Sequence, residues 1–265
     1  MLCHSNAQSQ RVDRSIYMDP KQPTERRVEA LLKQMTLEEK IGQMDMVSIW
    51  NRDEIIKEGR FDYGAWIADG DVEELNALQK LSEKTRLKIP FLIGVDAAHG
   101  HAVKPRKTVF PSAISMAATF NRDLVKQIYA ASAPEIRSTG NQWSFCPCVD
   151  IVLDARWGRT GETYGEDPFL ASELVRSAVS GLQDWKDPQD RVAVSVKHLL
   201  GGGASVGGCN HAPAPLSERA VRSYILPPLQ GGHRGGLHDH HAGPQRRGPG
   251  PCPRFQVAAD RPGQG

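Results

Sequence analysis

Two stretches of the sequence place polar side chains directly after apolar runs. Lys197 and His198 follow the apolar segment 192–196 and lead into a glycine-rich loop, and Asp96 follows the apolar segment 91–95. Lysine donates hydrogen bonds, imidazole both donates and accepts them, and a carboxylate can accept from two hydroxyls at once. We interpret these residues as a set that holds a polar ligand at the carboxyl ends of buried strands.

A third stretch is a polar loop that runs from about 154 to 166. It contains Arg156 and Arg159, three residues apart. A guanidinium donates hydrogen bonds, and beside a carboxylate it keeps that group ionised. The spacing alone leaves open which arginine faces a ligand, although a salt bridge within the loop is the expected role of Arg156. Glu162 and Glu166 are interpreted as structural.

In this order and at these intervals, blocks 94–100, 154–168 and 196–204 resemble the N-terminal catalytic domain of glycoside hydrolase family 3, of the β-glucosidase type. The resemblance covers about residues 20–230. It implies an O-glycosyl hydrolase (EC 3.2.1.-) that removes β-linked glucose from non-reducing ends of glucans, cellobiose or aryl glucosides, with retention. Two alternatives stay open: a β-xylosidase-type member of the family, and a sugar-binding remnant without catalysis.

The resemblance implies a role for each candidate ligand-binding residue. Asp96 matches the aspartate that accepts hydrogen bonds from the outer hydroxyls of the terminal glucose, and Lys197 and His198 match the sugar-binding pair. Arg159 aligns with the arginine that contacts the sugar or orients the nucleophile, with Arg156 as its rival. The β-glucoside or oligosaccharide substrate is therefore expected to meet these side chains.

No catalytic carboxylate is identified in the chain. In the family the nucleophile is an aspartate in a segment that would follow residue 230, and the usual acid/base is a glutamate in a second domain. In the β-N-acetylglucosaminidase branch, the acid lies within a Lys-His-Phe-Pro-Gly-His-Gly loop. Here the loop starting at Lys197 reads Lys-His-Leu-Leu-Gly-Gly-Gly, which favours the β-glucosidase or β-xylosidase branch. We therefore expect the chain itself to be inactive.

The composition changes abruptly after Gln230. Glycine, proline, arginine and histidine make up 23 of the 35 residues at 231–265. Such a segment cannot bury enough apolar surface to offset its chain entropy, so we predict a disordered tail. A solvated linker and a basic RNA-binding tail are alternatives. However, a one-base shift of the degenerate codons for 254–261 permits Ser-Arg-Trp-Leu-Leu-Thr-Asp, which is similar to a family segment. We therefore predict a frameshift and a longer true protein.

Predicted helices and strands alternate along the chain, and these elements position the candidate side chains. Amphipathic spacing predicts helices at 24–44 (in two parts), 71–86, 121–138, 167–182 and 217–226, the last ended by two prolines. Apolar runs predict strands at 91–95, 144–151 and 191–196. This alternation indicates an α/β fold with a parallel sheet, and every candidate site follows a strand.

A (β/α)8 barrel places its active site at the carboxyl ends of its strands. A doubly wound sheet does so too, but its glycine-rich turn usually follows the first strand, whereas here the glycines follow a late strand. We therefore predict an N-terminal extension at 1–19, a TIM-type barrel domain without its last strands at 20–230, and an out-of-frame tail at 231–265.

The overall composition argues against several classes of partner. The net charge is +2, and five arginines of the tail account for the basic excess, which indicates an uncharged substrate rather than nucleic acid. No apolar run approaches the roughly 18 residues of a membrane helix. Family members are often periplasmic or secreted, but the first residues do not form a complete signal peptide. The compartment and the oligomeric state stay open.

The histidines and cysteines predict no metal site. His99 and His101 lack a carboxylate cluster and are interpreted as residues that shape a loop. Cys146 and Cys148 are separated by one residue, not by the two of a zinc or redox turn, which favours a structural role. The histidine-rich cluster at 238–241 is interpreted as an accident of the reading frame. We expect neither a metal nor a cofactor.

Overall fold

A single parallel sheet organises the chain. The structure is a computed structural model that describes residues 12–101 and 107–234. Within them, strands pair in the order β1 (Met46–Ser48), β2 (Ala65–Ile67), β3 (Leu92–Val95), β4 (Trp143–Ser144) and β5 (Ala193–Val194). All four pairings are parallel. The sheet and its crossover helices confirm the predicted α/β class. The histidine-rich cluster at 238–241 and most of the predicted tail lie outside the described residues.

Helices precede, connect and follow the strands. They are α1 (Thr24–Leu32), α2 (Leu37–Gln43), α3 (Arg52–Glu58), α4 (Val72–Ser82), α5 (Ala113–Ala117), α6 (Arg122–Ser138), α7 (Pro168–Gln183), α8 (Glu218–Ala220) and α9 (Leu226–Arg234), with a π-helical turn at Val221–Ile225 before α9.

Side-chain caps fix where several helices begin. Thr36 and Glu39 form a capping box at the start of α2, in which each side chain accepts a hydrogen bond from the other's backbone amide. Asn121 caps α6, and Asp167 caps α7 in front of Pro168. Each cap satisfies an amide that has no partner within the helix, which stabilises the helix by about 1 kcal/mol. Local sequence therefore sets these boundaries.

Two apolar cores support the sheet. The larger one packs α6 and α7 against β3 and β5, and it includes Ile136, Leu174 and Val194. The smaller one packs α4 against β2 and β3 around Trp66, whose side chain is fully buried. Burying one large apolar side chain in these cores stabilises the fold by about 1.5–3 kcal/mol. These cores hold the strand ends, and therefore the candidate site, in fixed positions.

The strands differ in number and length from the prediction. β1 and β2 were not identified, and they have only three residues each. Of the strand predicted at 144–151, only the start is a regular strand, β4 at Trp143–Ser144. Pro147 has no backbone amide with which to continue the hydrogen-bond ladder. The rest of this run is buried as a loop. Its apolar character reflects burial rather than strand geometry.

The prediction that a helix ends at Pro227 and Pro228 was wrong. Helix α9 continues through both prolines to Arg234, four residues past the predicted boundary at 230. The prolines are the second and third residues of α9, which continues a helical run that begins at Glu218, and the π-helical turn directly before them changes the backbone hydrogen bonding at the point where their rings and missing amides would disrupt an α-helix. Gly231 lies close against the backbone of Ser172 on α7, so the start of the predicted tail is packed.

The predicted apolar faces of α1 and α2 are largely exposed. Helix α1 has no buried residue, and Leu37 and Ile41 of α2, with Met44 directly after it, are all exposed. Helix α1 begins at Thr24, after Pro23, and has no side-chain cap. Helix α2 directly precedes β1, which is an edge of the described sheet.

Candidate functional site

The predicted ligand-binding residues lie together at the carboxyl ends of the strands. Asp96 follows β3, and Lys197 follows β5 by three residues. The loop after β4 runs beside Lys197, because the Val149 amide donates to the Lys197 carbonyl at 2.6 Å and the Lys197 amide donates to the Pro147 carbonyl at 3.1 Å. These two hydrogen bonds fix the position of the Lys197 backbone, from which its side chain extends. The parallel sheet thus assembles residues that are distant in sequence.

Asp96 and Lys197 form an ion pair across this edge. The Lys197 ammonium Nζ lies 2.5 Å from Asp96 Oδ1, although the residues are 101 positions apart in the sequence. Half of the Asp96 side chain is exposed, whereas the lysine is mostly buried. Such a partly exposed pair leaves carboxylate oxygens accessible, so Asp96 can accept hydrogen bonds from a ligand while the lysine holds it in place.

His198 is held by a buried carboxylate, that of Asp150. The Asp150 side chain is fully buried, and its Oδ2 lies 2.7 Å from His198 Nδ1 and accepts from the His198 amide at 3.2 Å. Its Oδ1 accepts from the Gly202 amide at 2.9 Å. A carboxylate beside Nδ1 favours the tautomer with its proton on Nδ1, which leaves Nε2 as an acceptor. His198 therefore has a fixed orientation.

Asp150 was missed by the sequence analysis. It lies inside the apolar run 144–151, where we expected a strand, and we assigned no chemistry to it. The available signal was an acidic residue within an otherwise buried segment, because an isolated carboxylate is buried only when it is paired. The glycine-rich loop belongs to the same arrangement. A Cβ at Gly203 would collide with the Ile151 carbonyl oxygen, so glycine at this position lets the loop approach the Ile151 backbone.

The two arginines of the 154–166 loop have different environments. Arg156 is largely exposed and forms a two-pronged ion pair with Asp154, at 2.6 and 2.9 Å. Its hydrogen bonds lower the pKa of the Asp154 carboxyl to about 2. This contact matches the salt bridge expected within the loop. Arg159 is more buried and forms the corresponding pair with Glu162, at 2.8 and 2.9 Å.

Glu162 connects the Arg159 pair electrostatically to the strand-end residues. The hydrogen bond from Arg159 lowers the pKa of the Glu162 carboxyl, and the charge of Lys197 lowers it further. Arg159 therefore pairs with a carboxylate that lies within electrostatic range of Lys197. A negative group at that position also balances the positive charges around the site.

The histidines outside the strand ends have structural contacts. His99 Nδ1 lies 2.8 Å from the Phe110 carbonyl oxygen, and the buried His101 has Nε2 2.9 Å from Thr139 Oγ1. The first contact ties together two ends of the loop after β3, and the second ties that loop to the end of α6. Both contacts agree with the loop-shaping role predicted from the sequence.

Two buried thiols lie beneath the site. Cys148 Sγ donates to Asp150 Oδ2 at 3.2 Å and lies 3.8 Å from His198 Nδ1. Burial raises the pKa of the Cys146 thiol to about 12 and the pKa of the Cys148 thiol further still. Cys146, Cys148 and the exposed Cys209 are free thiols. Both buried thiols therefore stay protonated in the folded chain at neutral pH.

The Cys146 thiol gives the stability of the fold a defined pH dependence. Because its folded pKa is raised, its contribution is complete below the unfolded pKa of about 8.5 and is lost as the pH rises towards about 12. Above about pH 8.5, we expect the titration of this thiol to lower the free energy of unfolding by about 1.4 kcal/mol per pH unit. Urea unfolding at about pH 7.5 and about pH 9.5 measures it.

A matched pair of variants separates this contribution from other titrations. Cys146→Ala should show a shallower loss of stability with pH than the unchanged chain, whereas Cys209→Ala, at an exposed position, should show the same loss. Equal slopes for the chain and for Cys146→Ala would contradict the assignment.

Comparison with known proteins identifies relatives of the chain. The sequence profile described as "Glycosyl hydrolase family 3 N terminal domain" matches residues 36–232. The chain is 34% identical to "Periplasmic beta-glucosidase" of Salmonella typhimurium, over 76% of this chain and 26% of that protein. It is 29% identical to "Beta-xylosidase" of Formosa agariphila, over 78% of this chain and 25% of that protein. The chain thus spans about a quarter of the length of these relatives.

A solved structure shares both the fold and the sequence pattern. A mutant (D270A) of the β-glucosidase from Listeria innocua, crystallised in complex with laminaribiose, superposes with a TM-score of 0.72 at 30% identity. The match covers 79% of this chain and 31% of that one. No helix among the described residues is both long and apolar enough to cross a membrane.

Proposed function

Because the chain belongs to glycosyl hydrolase family 3, through its N-terminal domain, we propose that it is the glucose-holding part of a β-glucosidase-type hydrolase. The complete enzyme would remove β-linked glucose from non-reducing ends with retention. The observation that supports this proposal most directly is the meeting of Asp96 and Lys197 beside His198 at the carboxyl ends of the strands. This edge is where a barrel of this type binds its ligand.

Each side chain has a proposed part in holding the terminal glucose. Asp96 accepts from the outer hydroxyls through its exposed oxygens, while Lys197 both fixes Asp96 and donates to a hydroxyl. His198 accepts from a further hydroxyl through Nε2, because Asp150 holds Nδ1. A binding wall of this kind fixes the sugar, and a fixed anomeric carbon reacts faster with a properly placed nucleophile.

Arg159 is the arginine that we propose to contact the sugar or to orient the nucleophile. Its pairing with Glu162 fixes the guanidinium near the strand-end residues, whereas Arg156 is directed into an exposed pair with Asp154. An arginine beside a nucleophilic carboxylate would keep that carboxylate ionised and so reactive. Arg156 is therefore proposed to shape the loop only.

The chain as written is proposed to hold sugar without cleaving it. Retaining hydrolysis needs one carboxyl group as the nucleophile and a second as the acid/base. Among the described residues, Asp96, Asp150 and Glu162 are paired with Lys197, His198 and Arg159 and are proposed to bind or to position, because the family resemblance places both catalytic carboxyl groups after residue 230. The nucleophile and the acid/base would be supplied by the longer product of a restored reading frame.

A β-xylosidase-type activity is the second candidate function, and the similarity to a β-xylosidase at 29% identity favours it. Xylose lacks the C6 hydroxymethyl group of glucose, so the two candidates differ in whether the site holds that group. Kinetics of the frame-restored product on p-nitrophenyl β-glucoside and on p-nitrophenyl β-xyloside distinguish them. A higher kcat/KM for the xyloside would replace the first proposal with the second.

Calorimetric titration with glucose tests the binding proposal. Asp96→Asn removes the charge but keeps the size of the side chain, so we expect the affinity for glucose to fall by about tenfold or more, since charge-assisted hydrogen bonds contribute about 1.5–3 kcal/mol. Arg156→Ala serves as the control and should bind glucose as the unchanged chain does. Equal affinities for Asp96→Asn and the unchanged chain would contradict the role of Asp96.

A further inference from the structure

We propose that Cys148, Asp150 and His198 form a binding site for one soft divalent cation of the zinc type. The three side chains offer a thiol sulfur, a carboxylate oxygen and an imidazole nitrogen, and these atoms lie within 4.8 Å of one another. This is the mixed S, O and N donor set that Zn²⁺ accepts in proteins. The inference is independent of the sugar specificity of the chain.

The spacing of the donor atoms is close to that of a tetrahedral zinc site. Bond lengths of about 2.3 Å to sulfur and about 2.1 Å to nitrogen and oxygen place the ligand atoms roughly 3.4–3.6 Å apart. Here the Cys148–Asp150 separation is 3.2 Å, the Cys148–His198 separation is 3.8 Å, and the Asp150–His198 separation is 2.7 Å. The only large adjustment is an opening of the last pair by about 0.7 Å.

The residues around the three donor atoms orient the carboxylate and leave a route for the ion to reach the site. The Gly202 amide donates to Oδ1 of Asp150 and so orients the carboxylate, as outer partners of metal ligands do. Cys148 and Asp150 are buried, while a third of the His198 side chain is exposed and gives a route for the ion. A fourth position facing His198 would be filled by water, as in zinc sites with three protein ligands.

The proton balance of binding follows from the hydrogen bonds. The Cys148 thiol loses its proton to solvent and forms a sulfur–metal bond, and the His198 proton moves from Nδ1 to Nε2 so that Nδ1 can bind the metal. Metal binding would turn Nε2 of His198 from an acceptor into a donor.

Cobalt binding to the full 265-residue chain tests the site, because a thiolate bound to Co²⁺ gives a charge-transfer band in the near ultraviolet. The chain has five cysteines, so Cys3, Cys209 and Cys252 are first replaced by serine. We expect one equivalent of Co²⁺ to produce the band and Zn²⁺ to abolish it by displacing the cobalt. Histidine-only binding in 238–241 gives no such band and cannot be mistaken for this site.

Two further variants decide the outcome. Cys148→Ser should lose the band and weaken binding by more than about tenfold, whereas Cys146→Ala, two residues away and also buried, should keep both. His198→Asn, at a less buried position, should weaken binding similarly if Cys148→Ser fails to fold. No band in the parent chain, or a band that survives both Cys148→Ser and His198→Asn, would overturn the proposal.

Discussion

A product in which the reading frame is restored at codon 231 is expected to hydrolyse p-nitrophenyl β-glucoside, whereas the 265-residue chain is expected to show no turnover above the uncatalysed rate. The physical reason is that both carboxyl groups of retaining hydrolysis would lie in the restored part. Loss of a catalytic nucleophile costs rate on the order of 10⁴-fold or more, even where substrate binding survives. Resequencing the gene across this codon and assaying both products measures the difference.

Two controls keep this comparison specific. Glucose calorimetry on both products separates a chain that folds and binds without turnover from one that does not fold. In the restored product, Asp96→Asn should lower kcat/KM, and Arg156→Ala should leave it unchanged. Turnover by the 265-residue chain at a rate near that of the restored product would show that a described carboxylate acts as nucleophile, and the proposed assignment of the site would be wrong.

The position of the candidate site was predictable because it depends on topology. Asp96 and Lys197 each follow a buried apolar run, and parallel strands bring their carboxyl ends to one edge whatever the details of the loops. Short strands do not matter to this argument, since β5 has only two residues and still delivers Lys197 to the site. The sequence could therefore predict which residues meet without predicting where each strand ends.

Other features depended on tertiary contacts that no local pattern encodes. Asp150 lies in an apolar run, and its importance comes from its partners His198 and Gly202, about 50 positions away. Helix α9 passes through two prolines because a π-helical turn precedes them. The sequence correctly predicts α2 as an amphipathic helix, but its apolar face is exposed, because no element of the described residues covers it.

The exposed apolar face and the sheet edge have a common physical meaning. β1 is an edge of the described sheet, and Leu37 and Ile41 of the preceding α2, with Met44 directly after it, are exposed. Exposed apolar surface beside an open edge favours association between chains. We therefore attribute any aggregation of the 265-residue product to this side of the sheet.

Replacement of Asp150 by alanine is expected to have the largest effect of any single substitution within the described site. Asp150 accepts from the His198 amide, from His198 Nδ1 and from the Gly202 amide, and its carboxylate is fully buried. Alanine leaves these donors without their acceptor and leaves a cavity. We expect the free energy of unfolding to fall by about 2–4 kcal/mol, because each unsatisfied buried donor costs about 1–3 kcal/mol and His198 is partly solvated.

The same substitution should also abolish measurable glucose binding, because His198 would no longer be held with Nε2 towards the ligand. Asp154→Ala is the matched control: it removes an aspartate from the neighbouring loop, but its partner Arg156 is largely exposed and can be solvated by water instead, so the loss of stability should be small and glucose affinity should not change measurably. Asp150→Asn should fall between the two, since the amide keeps one acceptor for Gly202 and opposes two donors with its own N–H groups.

Urea unfolding followed by glucose calorimetry on the three variants tests this order. Stability and affinity should fall together from Asp154→Ala through Asp150→Asn to Asp150→Ala, because one buried carboxylate both joins the β4 and β5 loops and orients the imidazole. If Asp150→Ala were as stable as Asp154→Ala, the buried hydrogen bonds would not support the fold. If it lost stability but kept glucose affinity, His198 would not depend on Asp150 for its orientation.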